Sequence, residues 1–235
     1  MTAFQAILRL VAAVALALAL GSGVSGAAAT DVTADSANAP TSLADYTLTN
    51  WSEEQGPFPF GIYAIAQDLE GYLWLGARTG LVRFDGTEFV VWRGQQALPD
   101  YRIAAILAAR DGSLWVGFGT VGGVAQIVGG TARRFTAKDG LGEGDVNAID
   151  QDPGGTIWVA THGGLAGFDG QRWRPVGEDE GLPRGPVLGL WRDARSRLWA
   201  ATTTGLYRRA AEPGPFSLVE GRSDSDVAED RATIG

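Results

Sequence analysis

A short motif centred on tryptophan occurs four times in this chain and constrains its fold more than any other feature. The tryptophans, Trp74, Trp115, Trp158 and Trp199, are spaced 41, 43 and 41 residues apart. A period near 40 residues indicates an array of equal small units, each of which buries its apolar faces only by packing against its neighbours. The motif therefore predicts a repeat protein.

Each repeat contains four short apolar runs separated by turn residues. In the third repeat the runs are Val146–Gln151, Ile157–Thr161, Leu165–Phe168 and Trp173–Val176. Asp-Gly and Gly-Gly pairs between such runs favour β-hairpins. Four antiparallel strands with this period are typical of a propeller blade. The predicted fold is all-β: a β-propeller of four-stranded antiparallel blades, with about four blades present, forming the N-terminal part of a larger propeller.

The N-terminal residues are typical of an exported protein. Arg9 precedes an apolar run from Leu10 to Leu20, and small residues lead to Ala29. This is the pattern of a secretory signal peptide. The run is shorter than the roughly 20 residues that a membrane-spanning helix needs, although an uncleaved anchor remains the alternative. We therefore expect the protein to be exported.

The repeat positions divide the chain into consecutive segments. We predict a signal peptide at 1–29, a flexible linker at 30–44, an N-terminal ring-closing strand within 45–61, four blades at 62–102, 103–145, 146–186 and 187–220, and the start of a further repeat or a tail at 221–235. A glycine or alanine followed six residues later by an aliphatic residue marks the start of each blade, and Gly221 and Val227 repeat this pair. We therefore expect the propeller to continue in a longer protein. A closed ring of four blades is the alternative.

Composition excludes several functions. The formal net charge is −8, whereas nucleic-acid binding needs clustered Lys and Arg. The chain has no cysteine, which excludes disulfides and thiolate metal sites. We predict no cofactor, no metal, no catalytic residue and no nucleic-acid partner for this segment.

The loops at one end of the blades are the predicted binding site, because binding residues concentrate on loops of a rigid scaffold. In a four-stranded meander, the connection between the second and third strands emerges at the same end as the connection to the next blade. The candidate ligand-binding residues in these loops are Arg78, Thr79, Tyr101, Arg102, Thr120, His162, Arg184, Thr203 and Thr204; Glu143 and Asp145 lie in the same loops. The sole histidine, His162, could equally be an ordinary exposed loop residue.

Other repeated residues are predicted to be structural. We expect the tryptophans to pack between blades, with carbohydrate stacking as the alternative, and the glycines Gly80, Gly164 and Gly205 to form turns. Five recurring aspartates, Asp68, Asp152, Asp193, Asp85 and Asp169, are expected to hydrogen-bond their own loop backbone. Calcium loops need oxygen ligands at close alternate spacing, and the sequence has no such cluster.

The first repeat resembles the two-component regulator propeller repeat. It carries Asp68, Gly71, Leu73, Trp74, Gly76, Gly80, Leu81 and Phe84-Asp85-Gly86 at that repeat's spacing. The second repeat departs from the pattern with two extra residues around Thr120–Gly122, and the fourth has Ser196 in place of glycine. The resemblance covers about residues 46–220.

The resemblance implies the sensor region of a bacterial membrane receptor, located in the periplasm as the extracytoplasmic part of an inner-membrane protein. Its expected partners are a small extracytoplasmic ligand such as a saccharide, the remainder of the same chain, and the membrane through a segment beyond this sequence. A histidine kinase or diguanylate cyclase would be the output module. Two alternatives stay open, a propeller lyase of the streptogramin-lyase type and a scaffolding propeller without a small ligand.

Overall fold

The structure is a computed structural model that describes residues 61–78, 80–94, 98, 102–209 and 214–221, with backbone alone for 220 and 221. All of them belong to the compact unit from Trp51 to Gly235. The predicted signal peptide and linker lie outside the described residues, as do the strand within 45–61 and the tail, except for Gly61 and Gly221. The candidate site residues Thr79 and Tyr101 also lie outside them.

The described residues form four antiparallel sheets of four strands, in chain order. Sheet 1 contains β1 (Ile62–Gln67), β2 (Leu73–Ala77), β3 (Gly80–Phe84) and β4 (Phe89–Val91). Sheet 2 contains β5 (Ile103–Ala108), β6 (Leu114–Phe118), β7 (Val124–Val128) and β8 (Thr131–Phe135). Sheet 3 contains β9 (Val146–Gln151), β10 (Ile157–Thr161), β11 (Gly164–Phe168) and β12 (Trp173–Val176). Sheet 4 contains β13 (Val187–Arg192), β14 (Leu198–Thr202), β15 (Gly205–Arg209) and β16 (Phe216–Gly221).

The arrangement of these sheets is that of propeller blades, which confirms the predicted fold class. Every strand pairs with the next strand in sequence, and the first strands β1, β5, β9 and β13 pack side by side. Each first strand has a register irregularity near its start, such as the one between Ile103 and Ala105. A bulge bends the strand locally, so it helps to set the direction of the loop residues that precede the strand.

Neighbouring sheets are held together by an aliphatic side chain that packs against a small residue of the preceding sheet. A Cβ added at Gly76 would lie 2.6 Å from Ile103, and one added at Gly117 would lie 2.4 Å from Val146. Ile103 and Val146 are almost completely buried. Ile62, at the same position in sheet 1, is 43% exposed, because the described residues include no preceding sheet with a small residue against which it could pack.

An aspartate in the turn between the first two strands anchors the repeated tryptophan. Asp68 accepts the Tyr72 backbone N–H at 2.9 Å through Oδ1 and the Trp74 indole N–H at 2.7 Å through Oδ2. Asp152 binds Trp158 in the same way, at 3.1 Å. The predicted turn role of these aspartates is therefore only half of their contribution, because one oxygen closes the turn while the other fixes the indole.

The same anchor recurs in sheet 4 and is replaced in sheet 2. Asp193 accepts the Trp199 indole N–H at 3.0 Å. Desolvation acts to raise the pKa of Asp193, but the hydrogen bonds from Trp199 and from the turn outweigh it, so the pKa is lowered. In sheet 2 the Ser113 hydroxyl accepts the Trp115 indole N–H at 3.1 Å and donates to Asp111 at 2.7 Å. The serine thus substitutes for the aspartate.

Two of the connections between sheets contain a single 3-10 turn, Ala137–Asp139 and Glu178–Glu180. Each ends at a glycine in the left-handed region, Gly140 with φ 102° and Gly181 with φ 80°. A Cβ at Gly181 would lie 2.1 Å from the Phe216 carbonyl oxygen. Backbone conformation and close packing therefore both require glycine there.

Candidate functional site

The predicted loops do converge between sheets 2 and 3, on a group that we call the Arg102 junction: Tyr63, Arg102, Thr120, Asp145 and His162. Arg102 and Asp145 each directly precede the first strand of a sheet, and Thr120 and His162 lie between the second and third strands. Two consecutive sheets therefore contribute the same two kinds of loop to one surface.

The Asp145 carboxylate organises the junction. Its Oδ2 lies 3.1 Å from Arg102 Nη2, and its Oδ1 accepts the Thr120 backbone N–H at 2.6 Å. The two charged side chains remain 35% and 26% exposed. A pair this exposed contributes roughly 0–1 kcal/mol to stability, so its main effect is to fix the positions of three loops while leaving donors and acceptors open to solvent.

Thr120 is held in an unfavourable conformation. Its φ is 75°, a left-handed value that is a genuine outlier for a β-branched residue and costs of order 1–3 kcal/mol. Asp145 and the following glycines hold it there: a Cβ at Gly122 would lie 2.3 Å from the Gly144 carbonyl oxygen. Backbone strain of this kind is concentrated at functional sites.

An aromatic side chain borders the junction on the sheet 1 side. The Arg102 guanidinium lies over the Tyr63 ring, 5.4 Å from its centroid, and Tyr63 is 46% exposed. A Cβ at Gly119 would lie 2.4 Å from the same guanidinium, so glycine makes room for the arginine. Tyr63 and Arg102 together present an exposed ring and a planar cation.

The sole histidine lies on the other side of Asp145. His162 is exposed, its backbone N–H donates to the Asp145 carbonyl at 3.1 Å, and its Cβ lies close to Gly144. The Gly163 N–H donates to the Glu143 carbonyl at 2.7 Å. The loop that carries His162 is thus tied to the connection that carries Glu143 and Asp145.

The remaining predicted residues lie outside this group. Arg184 is exposed and lies 3.9 Å from Glu178 in its own connection. Thr204 bonds with Thr202 and Tyr207 in sheet 4, Thr203 is exposed, and Arg78 is exposed at the end of β2.

Sequence reasoning did not single out Tyr63. The strand β1 that contains it was predicted, but the positions corresponding to Tyr63 in the next sheets are Ala104, Asn147 and Leu188, so no repeat pattern marked it. The left-handed conformation of Thr120 was also missed. The two extra residues at Thr120–Gly122 were the only available sign that this turn is unusual.

The junction offers the groups that recognise a polyhydroxylated ligand. Arginine supplies planar donors, the carboxylate supplies acceptors, and tyrosine supplies a ring face and a hydroxyl. Hydroxyls of a sugar can bridge a donor and an acceptor that lie 3.1 Å apart, as Arg102 and Asp145 do. No group of three or more His, Asp or Glu that could hold a metal occurs among the described residues.

Comparison with solved structures finds the same architecture. The chain superposes with a TM-score of 0.61 and 20% identity on the extracellular domain of a hybrid two-component system from B. thetaiotaomicron, over 74% of this chain and 24% of that chain. It superposes on virginiamycin B lyase from Staphylococcus aureus with a TM-score of 0.56 and 15% identity, over 70% and 57%. It also superposes on a streptogramin B lyase with a TM-score of 0.51 and 13% identity, over 68% of this chain and 54% of that chain.

These likenesses establish a fold shared with propellers. The chain spans about a quarter of the length of the two-component structure and a little over half of the lyases. No family model and no curated protein matches the sequence. In the part of the chain that the structure describes, no helix is long and apolar enough to cross a membrane.

Proposed function

We propose that this chain is the extracytoplasmic, ligand-sensing propeller region of a bacterial membrane receptor, and is not itself catalytic. It would be exported through residues 1–29 and would bind a saccharide or another small solute at the Arg102 junction. The remainder of the receptor chain would cross the membrane and carry the output module, of the histidine kinase or diguanylate cyclase type.

The observation that carries the proposal is the repeat of sheet 1. Its Asp68, Trp74 and Phe84-Asp85-Gly86 resemble the two-component regulator propeller repeat in spacing, and they fold as one blade. Asp85 closes its hairpin by accepting the N–H groups of Thr87 and Glu88. The likeness to an extracellular domain of a hybrid two-component system is consistent with the same role.

Ligand binding can be tested by a thermal-shift screen of the purified chain against neutral oligosaccharides. A ligand at about 100 times its Kd stabilises by about 2.7 kcal/mol, which raises Tm by about 5–10 °C in a chain of this size. Asp145→Asn weakens the link to Arg102 and should remove most of that rise. Asp179→Asn makes the same charge change outside the junction and should leave the rise intact.

Two results would contradict the binding of a saccharide at the Arg102 junction. A flat response across the whole saccharide panel would favour a scaffolding propeller. Equal responses of Asp145→Asn and Asp179→Asn would place binding elsewhere.

Export is tested separately by fusing residues 1–44 to an alkaline phosphatase that lacks its own signal, since the enzyme becomes active only after export. An inactive, stable fusion would argue against a periplasmic protein.

A streptogramin-type lyase is the second candidate. It is favoured by the superposition on virginiamycin B lyase and by His162, because histidine is the usual acid or base near neutral pH. The test is incubation of the chain with a streptogramin B antibiotic, followed by tandem mass spectrometry, because an elimination that opens the ring leaves the total mass unchanged and alters only the fragments. Ring opening that His162→Ala abolishes would replace the sensor proposal with this one.

A further inference from the structure

The interface between sheets 2 and 3 is filled by four aromatic side chains. Trp115, Phe135, Phe168 and Trp173 pack with ring centroids 5.0–5.9 Å apart. All four are buried. This interface shows what a fully packed contact between two of these sheets requires.

The next interface, between sheets 3 and 4, lacks two of those rings. Strand register places Trp158, Val176, Arg209 and Phe216 at the positions of Trp115, Phe135, Phe168 and Trp173. Valine fills less volume than phenylalanine, and an arginine has replaced a ring. A groove of about 730 Å³ opens beside Trp158 as a result, within the size range of small-molecule sites.

We call this groove, which is lined by Trp158, Val176, Arg195 and Arg209 among others, the sheet 3–4 groove. The Trp158 indole forms its floor. Trp158 lies across from Gly167 in the neighbouring strand, and a Cβ there would be 2.9 Å from the ring. Sheet 4 has Arg208 at that position, with its guanidinium over the Trp199 ring. Glycine lets the Trp158 indole lie against its own sheet, and the 7% of the residue that stays exposed belongs to the lining of the groove.

Two arginines in the groove are already paired. Arg209 is 6% exposed; its guanidinium lies 5.0 Å from the Trp158 centroid and bonds Glu180 at 3.2 Å. Arg174 lies 3.2 Å from Asp169. Since the hydrogen bonds of turn amides lower the pKa of Asp169, this acid stays ionised near neutral pH and balances Arg174.

A third arginine forms no ion pair with a residue that the structure describes. Arg195 lines the groove from the turn between β13 and β14 and is exposed. Its backbone N–H donates to Asp193, but its guanidinium has no hydrogen bond or ion pair with any residue that the structure describes. Asp152 also lines the groove, but its two carboxylate oxygens accept the Thr156 and Trp158 N–H groups. The Arg195 guanidinium therefore remains open to a ligand, beside apolar side chains.

We propose that the sheet 3–4 groove binds a small organic carboxylate. The carboxylate would pair with Arg195, since a guanidinium matches two carboxylate oxygens. The body of the ligand would lie against Trp158 and Val176. The groove shares no residue with the Arg102 junction, so this site is independent of the receptor proposal.

The test is a fluorescence titration of the chain, read through its tryptophans, with two carboxylates and their neutral partners. D-Glucuronate is compared with D-glucose, and phenylacetate with phenylacetamide; the two pairs distinguish a sugar acid from an aromatic acid. At least one carboxylate should bind, and bind more tightly than its neutral partner. Arg195→Gln should weaken that binding about tenfold or more, as expected for the loss of a charge-assisted hydrogen bond.

Two further variants keep the test decisive. Lys138→Gln makes the same charge change on an exposed residue outside the groove and should not affect binding. Val176→Phe restores the ring that Phe135 supplies in sheet 2; it should abolish binding without lowering Tm. The proposal is wrong if neither carboxylate binds, if the neutral partners bind equally well, or if Arg195→Gln and Lys138→Gln behave alike.

Discussion

Replacing Gly117 by alanine should destabilise the chain by forcing sheets 2 and 3 apart. The added Cβ would lie 2.4 Å from Val146 Cγ1 and 3.0 Å from Val146 Cβ. Carbon atoms in ordinary contact are about 3.5–4.0 Å apart, so the sheets would have to separate by about 1 Å at a position where Val146 is completely packed.

The expected cost is that of overpacking a core. Insertions of this size cost about 1–3 kcal/mol, and each kcal/mol lowers Tm by about 2–4 °C in a chain of 150–250 residues. Gly117→Ala should therefore lower Tm by about 2–12 °C. Sheet 3 carries Ala160 at the corresponding position, in one cluster with Val187, so the cost comes from imposing a wider spacing on an interface built for glycine.

The decisive measurement is a double-mutant cycle by urea denaturation. Val146→Ala removes the clashing methyl groups and destabilises on its own, but combined with Gly117→Ala it should cost less than the sum, by about 0.5–3 kcal/mol. Gly189→Ala is the control, because a Cβ at Gly189 meets nothing within 4 Å. The proposed packing of Val146 against Gly117 would be refuted if Gly117→Ala destabilised the chain no more than Gly189→Ala. It would also be refuted if the costs of Gly117→Ala and Val146→Ala were simply additive.

Three other outcomes follow from the structure. Asp152→Ala leaves the buried Trp158 indole N–H without its acceptor and should cost about 1–3 kcal/mol in urea denaturation; an unchanged midpoint would contradict the anchor. Backbone hydrogen bonds from Glu88 and Thr87 lower the pKa of Asp85 from 3.8 to about 2. The ionised carboxylate therefore stabilises the fold fully above pH 3.8, and this stabilisation is lost as the pH falls toward 2. Asp85→Asn should make Tm less dependent on pH in that window, and parallel plots of Tm against pH for the two proteins would refute this. Asp145→Ala frees the strained Thr120 turn and should speed its amide hydrogen exchange, with Tm falling by no more than a few degrees; unchanged exchange would show that other contacts hold the turn.

The repeat was readable from the sequence because its causes are local. The Asp-Gly turns and the 41-residue spacing of Trp74 and Trp115 follow from hairpin geometry, so the four-stranded sheets could be predicted with their approximate bounds. The loops that meet at the Arg102 junction also followed, since strand order alone decides which connections share an end of the sheet.

The side-chain partners could not be predicted in the same way. That Ser113 replaces the anchoring aspartate in sheet 2 depends on the position of its hydroxyl relative to the Trp115 indole. That Arg102 joins Asp145 depends on two sheets lying side by side, because the two partners are 43 positions apart in the sequence. The positions of Arg102 and Asp145 in the sequence carry no information about the contact between them.

The sequence by itself determined a propeller-type array, because strand length, turn chemistry and period are properties of each repeat. The tertiary structure decided which interfaces are closed. Aromatic rings fill the contact between sheets 2 and 3, whereas Val176 and Arg209 leave a groove beside Trp158. Whether a substitution opens a cavity depends on the volume of all the residues that meet there, and those residues come together only when the sheets pack.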